Sequence, residues 1–261
     1  MRSLFAIILS TVDIAALAIL IVFIVLFLFF TLRARGGRRI DLRPIATYRR
    51  LRELVSQATE SGRPIQVSMG AGRIGSEATP EALMGLTVFE YVAQHAATCD
   101  NPTQGVTGDG TMLASAEGIL QKARREAGFT ESYRGYEMHY YGPEGMTYAA
   151  GALDTLRTTA PLGNMLLGPY GAEGVWIAEA GRAHGIPQLG GTADPAAAAL
   201  LRLSLDESPV GEEVYAAGAY LHRASHLGSL ATQDLVRIVI VVAIIVGILL
   251  TSLGIRPSLA L

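Results

Sequence analysis

The feature that most restricts this chain is a pair of apolar runs near its two ends, residues 4–32 and 238–253. The first carries one charge, Asp13, and residues 14–32 alone match the roughly 20 helical residues that a hydrocarbon core requires. The second is shorter, follows Val236 and Arg237, and would span with little tilt. The sequence therefore predicts two transmembrane anchors, residues 1–33 and 231–261. Between them it predicts a basic juxtamembrane segment with an amphipathic helix, 34–62, and an α/β domain, 63–230.

A cleavable secretory leader would have an apolar centre of about 7–15 residues followed by a small-residue cleavage site. Here the run continues into TLRARGGRR, residues 31–39, which points to an uncleaved anchor. Arg33, Arg35, Arg38, Arg39 and Arg43 follow the first run, against Arg2 before it, and Arg237 stands on the domain side of the second. By the positive-inside rule the central domain is cytoplasmic, held at the cytoplasmic membrane with both termini outside. The lipid bilayer is then a partner, and the arginines serve topology and anionic lipid. They are not read as a nucleic-acid surface, because a formal net charge of −2 offers no broad basic face. Asp13 is expected at the outer interface, away from the membrane centre.

Within the middle, residues 42–61 place Ile45, Tyr48, Leu51, Leu54 and Val55 at helical spacing, with Pro44 suited to a first turn and Gly62 to a stop. This helix would lie along a membrane surface or pack on the domain. Short candidate strands then alternate with helix-length segments. The strands are IQVSM (65–69), QGVT (104–107), YEMHYY (136–141), NMLL (164–167) and PQL (187–189). The helices are 80–98, 111–127, 144–158, 172–184 and 195–203, and a last one is expected over 211–228. Such alternation predicts a Rossmann-like parallel sheet of about five strands with helices on both faces.

Each candidate strand runs into paired glycines: Gly70 and Gly72, Gly108 and Gly110, Gly142 and Gly145, Gly168 and Gly171, Gly190 and Gly191. The carboxyl edge of an open parallel sheet is where ligands bind. Glycine is also what a sharp strand-to-helix turn requires. The first cluster, GAGRIG at Gly70 to Gly75, matches the GxGxxG dinucleotide pattern, but Ser76 to Pro80 separate it from its helix. Acids stand at the turns where phosphate would need free amides: Glu77, Glu81, Asp109, Glu144, Glu173 and Asp194. Such carboxylates cap helices and repel anions. Arg73 is the one cation of that rim, and the single lysine, Lys122, lies mid-helix. No cofactor is therefore expected. If a small molecule binds, the candidate residues are Gly70, Gly72, Arg73, Gly75, Asp109, Gly110, Thr111, Glu144, Gly171 and Glu173.

Other constellations are weaker. His222 and His226 share a helix face that zinc could use, but no cysteine or acid completes a site, so no metal is expected. Cys99 cannot form an intramolecular disulfide, which fits a reducing compartment, and at the end of an amphipathic helix it is expected to be buried. No nucleophile elbow or sequence-evident nucleophile and base appears. The segment YAAGA recurs at Tyr148 to Ala152 and Tyr215 to Ala219, small-residue faces suited to close helix packing.

The basic exit of the first run, LRPIATYRRLRELV, ESGRPIQVSMGAGRIG, TYAAGA, VGEEVYAAGAYL and HLGSLATQDLVR together resemble an uncharacterised family of bacterial membrane proteins, a domain-of-unknown-function family. The resemblance implies a two-anchor membrane protein with a cytoplasmic domain, and no activity. Three functions stay open at this point. The first is a non-enzymatic scaffold or assembly component, in a homo-oligomer or membrane-protein complex. The second is a small-molecule or nucleotide-sensing module at the glycine rim, and the third is a membrane-bound enzyme of unknown reaction.

Overall fold

The structure, a computed structural model, describes residues 43–129 and 135–221 continuously, and of the terminal runs residues 17, 20–29, 32, 235–242, 244, 245, 248, 249 and 252. The chain divides into two units, Pro44–Leu221 and the paired terminal segments Met1–Arg43 and His222–Leu261. In the terminal unit residues 20–29 and 235–242 are helical. Among the described residues no helix is long and apolar enough to cross a membrane. Much of both expected spans lies outside the described residues, as do Asp13, Arg33, Arg35, Arg38, Arg39, His222 and His226.

Unit Pro44–Leu221 is an α/β domain. Its elements run α1 (Ala46–Ser61), β1 (Ile65–Ser68), α2 (Thr79–Ala97), β2 (Gln104–Thr107), α3 (Gly110–Glu126), β3 (Met138–Tyr140), α4 (Gly145–Thr159), β4 (Gly163–Leu167), α5 (Gly174–Ala183), β5 (Gln188–Gly191) and α6 (Pro195–Leu201). The five strands form one sheet in the order β3-β2-β1-β4-β5, and every pairing is parallel. Each expected strand and helix of the alternation is present within a few residues. The strand order puts the topological switch point between β1 and β4.

The strands are short and poor in β-branched residues, and amides mark their register. Gln104, Gln66, Asn164 and Gln188 stand side by side across four strands. Gln66 Nε2 donates to Ser68 Oγ and to the Ala152 carbonyl at 3.2 Å, and Asn164 Nδ2 donates to Gln188 Oε1 at 3.1 Å. Gln188 Nε2 donates to the Ala178 carbonyl. This polar row faces α4 and α5. Alternation turns Val67 and Met69 to the opposite face, where Gly85 of α2 lies against Met69. A one-residue slip would bury the amides among apolar side chains without partners, so the row selects one register.

The first helix, α1, buries Tyr48, Leu51, Leu54 and Val55, and Gly62 in the left-handed region ends it. Of the two positions the sequence allowed it, packing on the domain is the one it takes. Tyr48 donates to the carbonyls of Glu213 (2.8 Å) and Val214 (3.0 Å) and stacks on Tyr220 with ring centroids 5.5 Å apart. Because α1 runs antiparallel to β1, its start lies at the carboxyl end of the sheet. The domain's first and last residues therefore leave it side by side, on the same edge as the glycine turns.

Two expectations need correction. The segment from Gly211 is no continuous helix: a 3-10 turn, Gly211–Ala216, passes into one α-turn, Ala217–Tyr220, and residues 222–230 lie outside the described part. Cys99 is exposed, because α2 ends at Ala97 and the thiol falls in the turn beyond it.

A buried ionic cluster joins α3 to β3. Arg124 donates to Asp100 Oδ1 and, at 2.6 Å, to Glu137 Oε1, with Arg124 and Glu137 almost wholly buried. Glu137 also accepts the Thr103 amide at 3.0 Å. Replacing the cation strands a carboxylate in the interior. Arg124→Met is expected to cost about 3–5 kcal/mol of stability in denaturant unfolding, and adding Glu137→Gln should recover part of it.

Candidate functional site

The carboxyl edge of the sheet is the place where this topology offers a ligand crevice. At the switch point the chain after β1, Met69 to Gly72, meets the chain after β4, Gly168 to Gly171. Gly70 adopts φ +80°, and a Cβ there would stand 2.6 Å from the Pro169 carbonyl oxygen. A Cβ on Gly168 would overlap the Met69 carbonyl, and one on Gly72 would overlap the Pro169 ring. On the other side, a Cβ on Gly108 would come within 2.6 Å of the Gly142 carbonyl oxygen and 2.7 Å of Ala71 Cα. Loops after β1, β2, β3 and β4 thus touch through glycine, and the chain itself occupies the switch point between β1 and β4.

Two buried tyrosines complete the filling. The first turn of α4 carries Tyr148 under the loop, where its hydroxyl accepts the Gly70 amide at 2.9 Å. Tyr170, in the loop after β4, donates to the Ser68 carbonyl at 2.6 Å, and the two hydroxyls are 3.4 Å apart. Burial pushes the Tyr148 hydroxyl up to about 12. Burial, with Tyr148 adding to it, holds Tyr170 well above its ordinary value. The amide that a bound pyrophosphate would need here is already hydrogen-bonded.

Several other rim amides are occupied in the same way. Gly75 donates to Thr79 Oγ1 at 2.8 Å, and Gly171 donates to Glu173 Oε1 at 2.8 Å. Asp109 accepts the Thr111 and Met112 amides at 3.1 and 3.0 Å. Glu144 accepts the Met146 and Thr147 amides at 3.2 and 2.7 Å, and the bonds from Thr147, with that from Met146, hold its carboxyl below the ordinary range. Asp194 accepts the Ala197 amide at 2.7 Å. The reading of Asp109, Glu144 and Asp194 as helix caps matches this geometry. Glu173 makes no bond to an amide of its own helix, and Glu81 departs from the reading too. Its carboxylate, largely buried on α2, reaches across to the Ala193 amide beyond β5 at 2.6 Å, and burial raises its pKa against the opposing bonds from Thr192 and Ala193.

Of the candidate residues, Gly70 and Gly72 meet at the β1–β4 contact. Glu173 lies beside both Gly145 and Gly171, which brings the Glu144 and Glu173 turns together. Arg73, Gly75, Gly110 and Thr111 are exposed, and a Cβ on Gly75 or Gly110 would meet nothing. Among the described residues no group of histidine, cysteine and acid could hold a metal. Sequence reasoning missed Tyr148, Tyr170 and the cross-link from Glu81. The available signal was a tyrosine opening each of YAAGA and YG beside a glycine turn.

A five-stranded, doubly wound parallel α/β domain whose switch-point crevice is closed by its own loops defines the class. Within it, the chain belongs to the DUF6754 family, a domain of unknown function, whose model matches residues 6–259. No curated protein and no solved structure matches the chain.

Two outcomes follow from this geometry. Gly72→Ala should lower stability by about 1–3 kcal/mol through overlap with Pro169, whereas Gly110→Ala, in open space on α3, should be neutral or stabilising by up to about 1 kcal/mol in the same unfolding assay. Unfolded tyrosines ionise near pH 10, whereas the folded pKa of Tyr148 is about 12. Stability from this group is complete below about pH 10 and is lost as pH rises toward about 12. Tyr148→Phe, which leaves the Gly70 amide unsatisfied, should start about 1–3 kcal/mol less stable and lose less over that window.

Proposed function

We propose that this is a membrane-anchored domain that acts as a non-enzymatic scaffold or assembly component, in a homo-oligomer or a larger membrane-protein complex. The observation that carries the reading is the filled crevice. Where the topology would seat a ligand, glycine contacts and the Tyr148 and Tyr170 hydroxyls take its space and its hydrogen bonds. With the switch point between β1 and β4 so occupied, the surfaces of the domain are what a partner would meet there.

The membrane part of the proposal rests on other observations. In the terminal unit the described large apolar side chains of residues 20–25 and 27–29 are exposed around the whole helix, as are those of residues 238–242. A helix apolar on every side is covered by lipid or by other apolar helices. The arginines around both runs favour an inner-membrane topology with the α/β domain in the cytoplasm and both termini outside. Within the α/β unit, Tyr48, Tyr220 and the Glu213 and Val214 carbonyls bring the first and last elements together, which agrees with an anchor at each end of the chain. The sequence resemblance implies the same plan.

Mass measurement of the full chain extracted in mild detergent is expected to give a multiple of the 27.7 kDa protomer or a complex with other membrane proteins. A stable monomer across detergents and concentrations would contradict the scaffold reading.

A further inference from the structure

The opposite edge of the sheet carries a different kind of cavity. It has a volume of about 410 Å³ and lies among the end of α4, the loop before β4 and the turn before β5. Its ionisable lining residues are Arg63, Arg157 and His184, and no carboxylate lines it. For a chain with 23 acids against 21 lysines and arginines, a cavity lined by one sign of charge is out of proportion.

Cations at helix carboxyl ends often answer the macrodipole and nothing more. Here that task is already performed by one of them. Arg63 Nη2 donates to the carbonyls of Ala160 and Pro161 at 2.8 and 3.2 Å, just past the end of α4. Its Nη1 and Nε have no partner among the described residues. Arg157, in the last turn of α4, is exposed, and its guanidinium has no partner among the described residues, Asp154 included. His184 closes α5, with Nδ1 at 2.7 Å from the Ala180 carbonyl of its own helix. The nearest acid of the adjoining turn, Asp206, accepts the Gln188 amide at 2.7 Å. Two guanidinium groups therefore line one recess with donors in hand, and the fixed fork of arginine suits oxyanions.

We propose that this cavity is an anion site that takes an oxyanion group, phosphate or carboxylate, of a small molecule, held by Arg157 and Arg63. Its volume falls in the range of small-ligand pockets and exceeds what a bare oxyanion fills. It lies at the edge of the sheet opposite the glycine turns. The site is independent of the scaffold reading, which can stand or fall on the mass measurement alone.

The test is calorimetric titration of the full chain in detergent with inorganic pyrophosphate and, separately, citrate, at constant ionic strength. At least one is expected to bind saturably, and which one does so distinguishes phosphate from carboxylate recognition. Arg157→Gln should weaken that binding about tenfold or more while leaving the melting temperature of the unliganded protein unchanged. Arg63→Gln should weaken it too and also lower the melting temperature. Absence of saturable binding by both probes would overturn the proposal. So would binding that Arg157→Gln leaves unaltered.

Discussion

Backbone meets backbone after β1 and β4, with no side chain between Gly70, Gly168 and their neighbours. The rest of the domain's carboxyl edge is arranged around that contact. A doubly wound sheet separates its loops at the switch point, because the chain leaves β1 to one face and β4 to the other. In this domain the loops are drawn together instead, and the gap beneath is occupied by Tyr148 and Tyr170. Their hydroxyls give the strand-end amide of Gly70 and the carbonyl of Ser68 the partners that a ligand or water would otherwise supply.

The same economy of partners extends along the edge. Carboxylates at Asp109, Glu144 and Asp194 take the amides at the starts of their helices, so those macrodipoles are met internally, and Glu173 takes the Gly171 amide of the preceding loop. Glu81 and Thr192 connect α2 to the loop beyond β5, and Tyr48 fastens α1 to the segment that leaves the domain. The carboxyl edge is thus lined with acids, whereas the cavity at the opposite edge is lined by Arg63, Arg157 and His184 with no carboxylate.

Much of this plan was legible from residues. Alternation of short strands with Ala- and Leu-rich helices was enough for the parallel α/β class, and Pro80 marked the late start of α2, which begins at Thr79. The glycine pairs located the carboxyl edge. Their purpose was not legible, because glycine serves close backbone packing and ligand approach equally well. Strand order was hidden because strands of four or five residues carry no record of their neighbours, and Gln66, Gln104, Asn164 and Gln188 line up only once the sheet is formed. Tyr148 was hidden inside YAAGA, where the small residues drew attention to helix packing. Arg63 and Arg157 are 94 positions apart and share no motif; only the fold brings them to one cavity.

Hydrogen exchange at the Gly70 amide addresses the filled crevice most directly. If the Tyr148 hydroxyl holds that amide as part of the core, it exchanges only when the domain unfolds globally, at the rate of the central strands and irrespective of added ligands. Exchange as fast as at the exposed Arg73 amide, or protection that appears only when a small molecule is added, would contradict a self-filled edge.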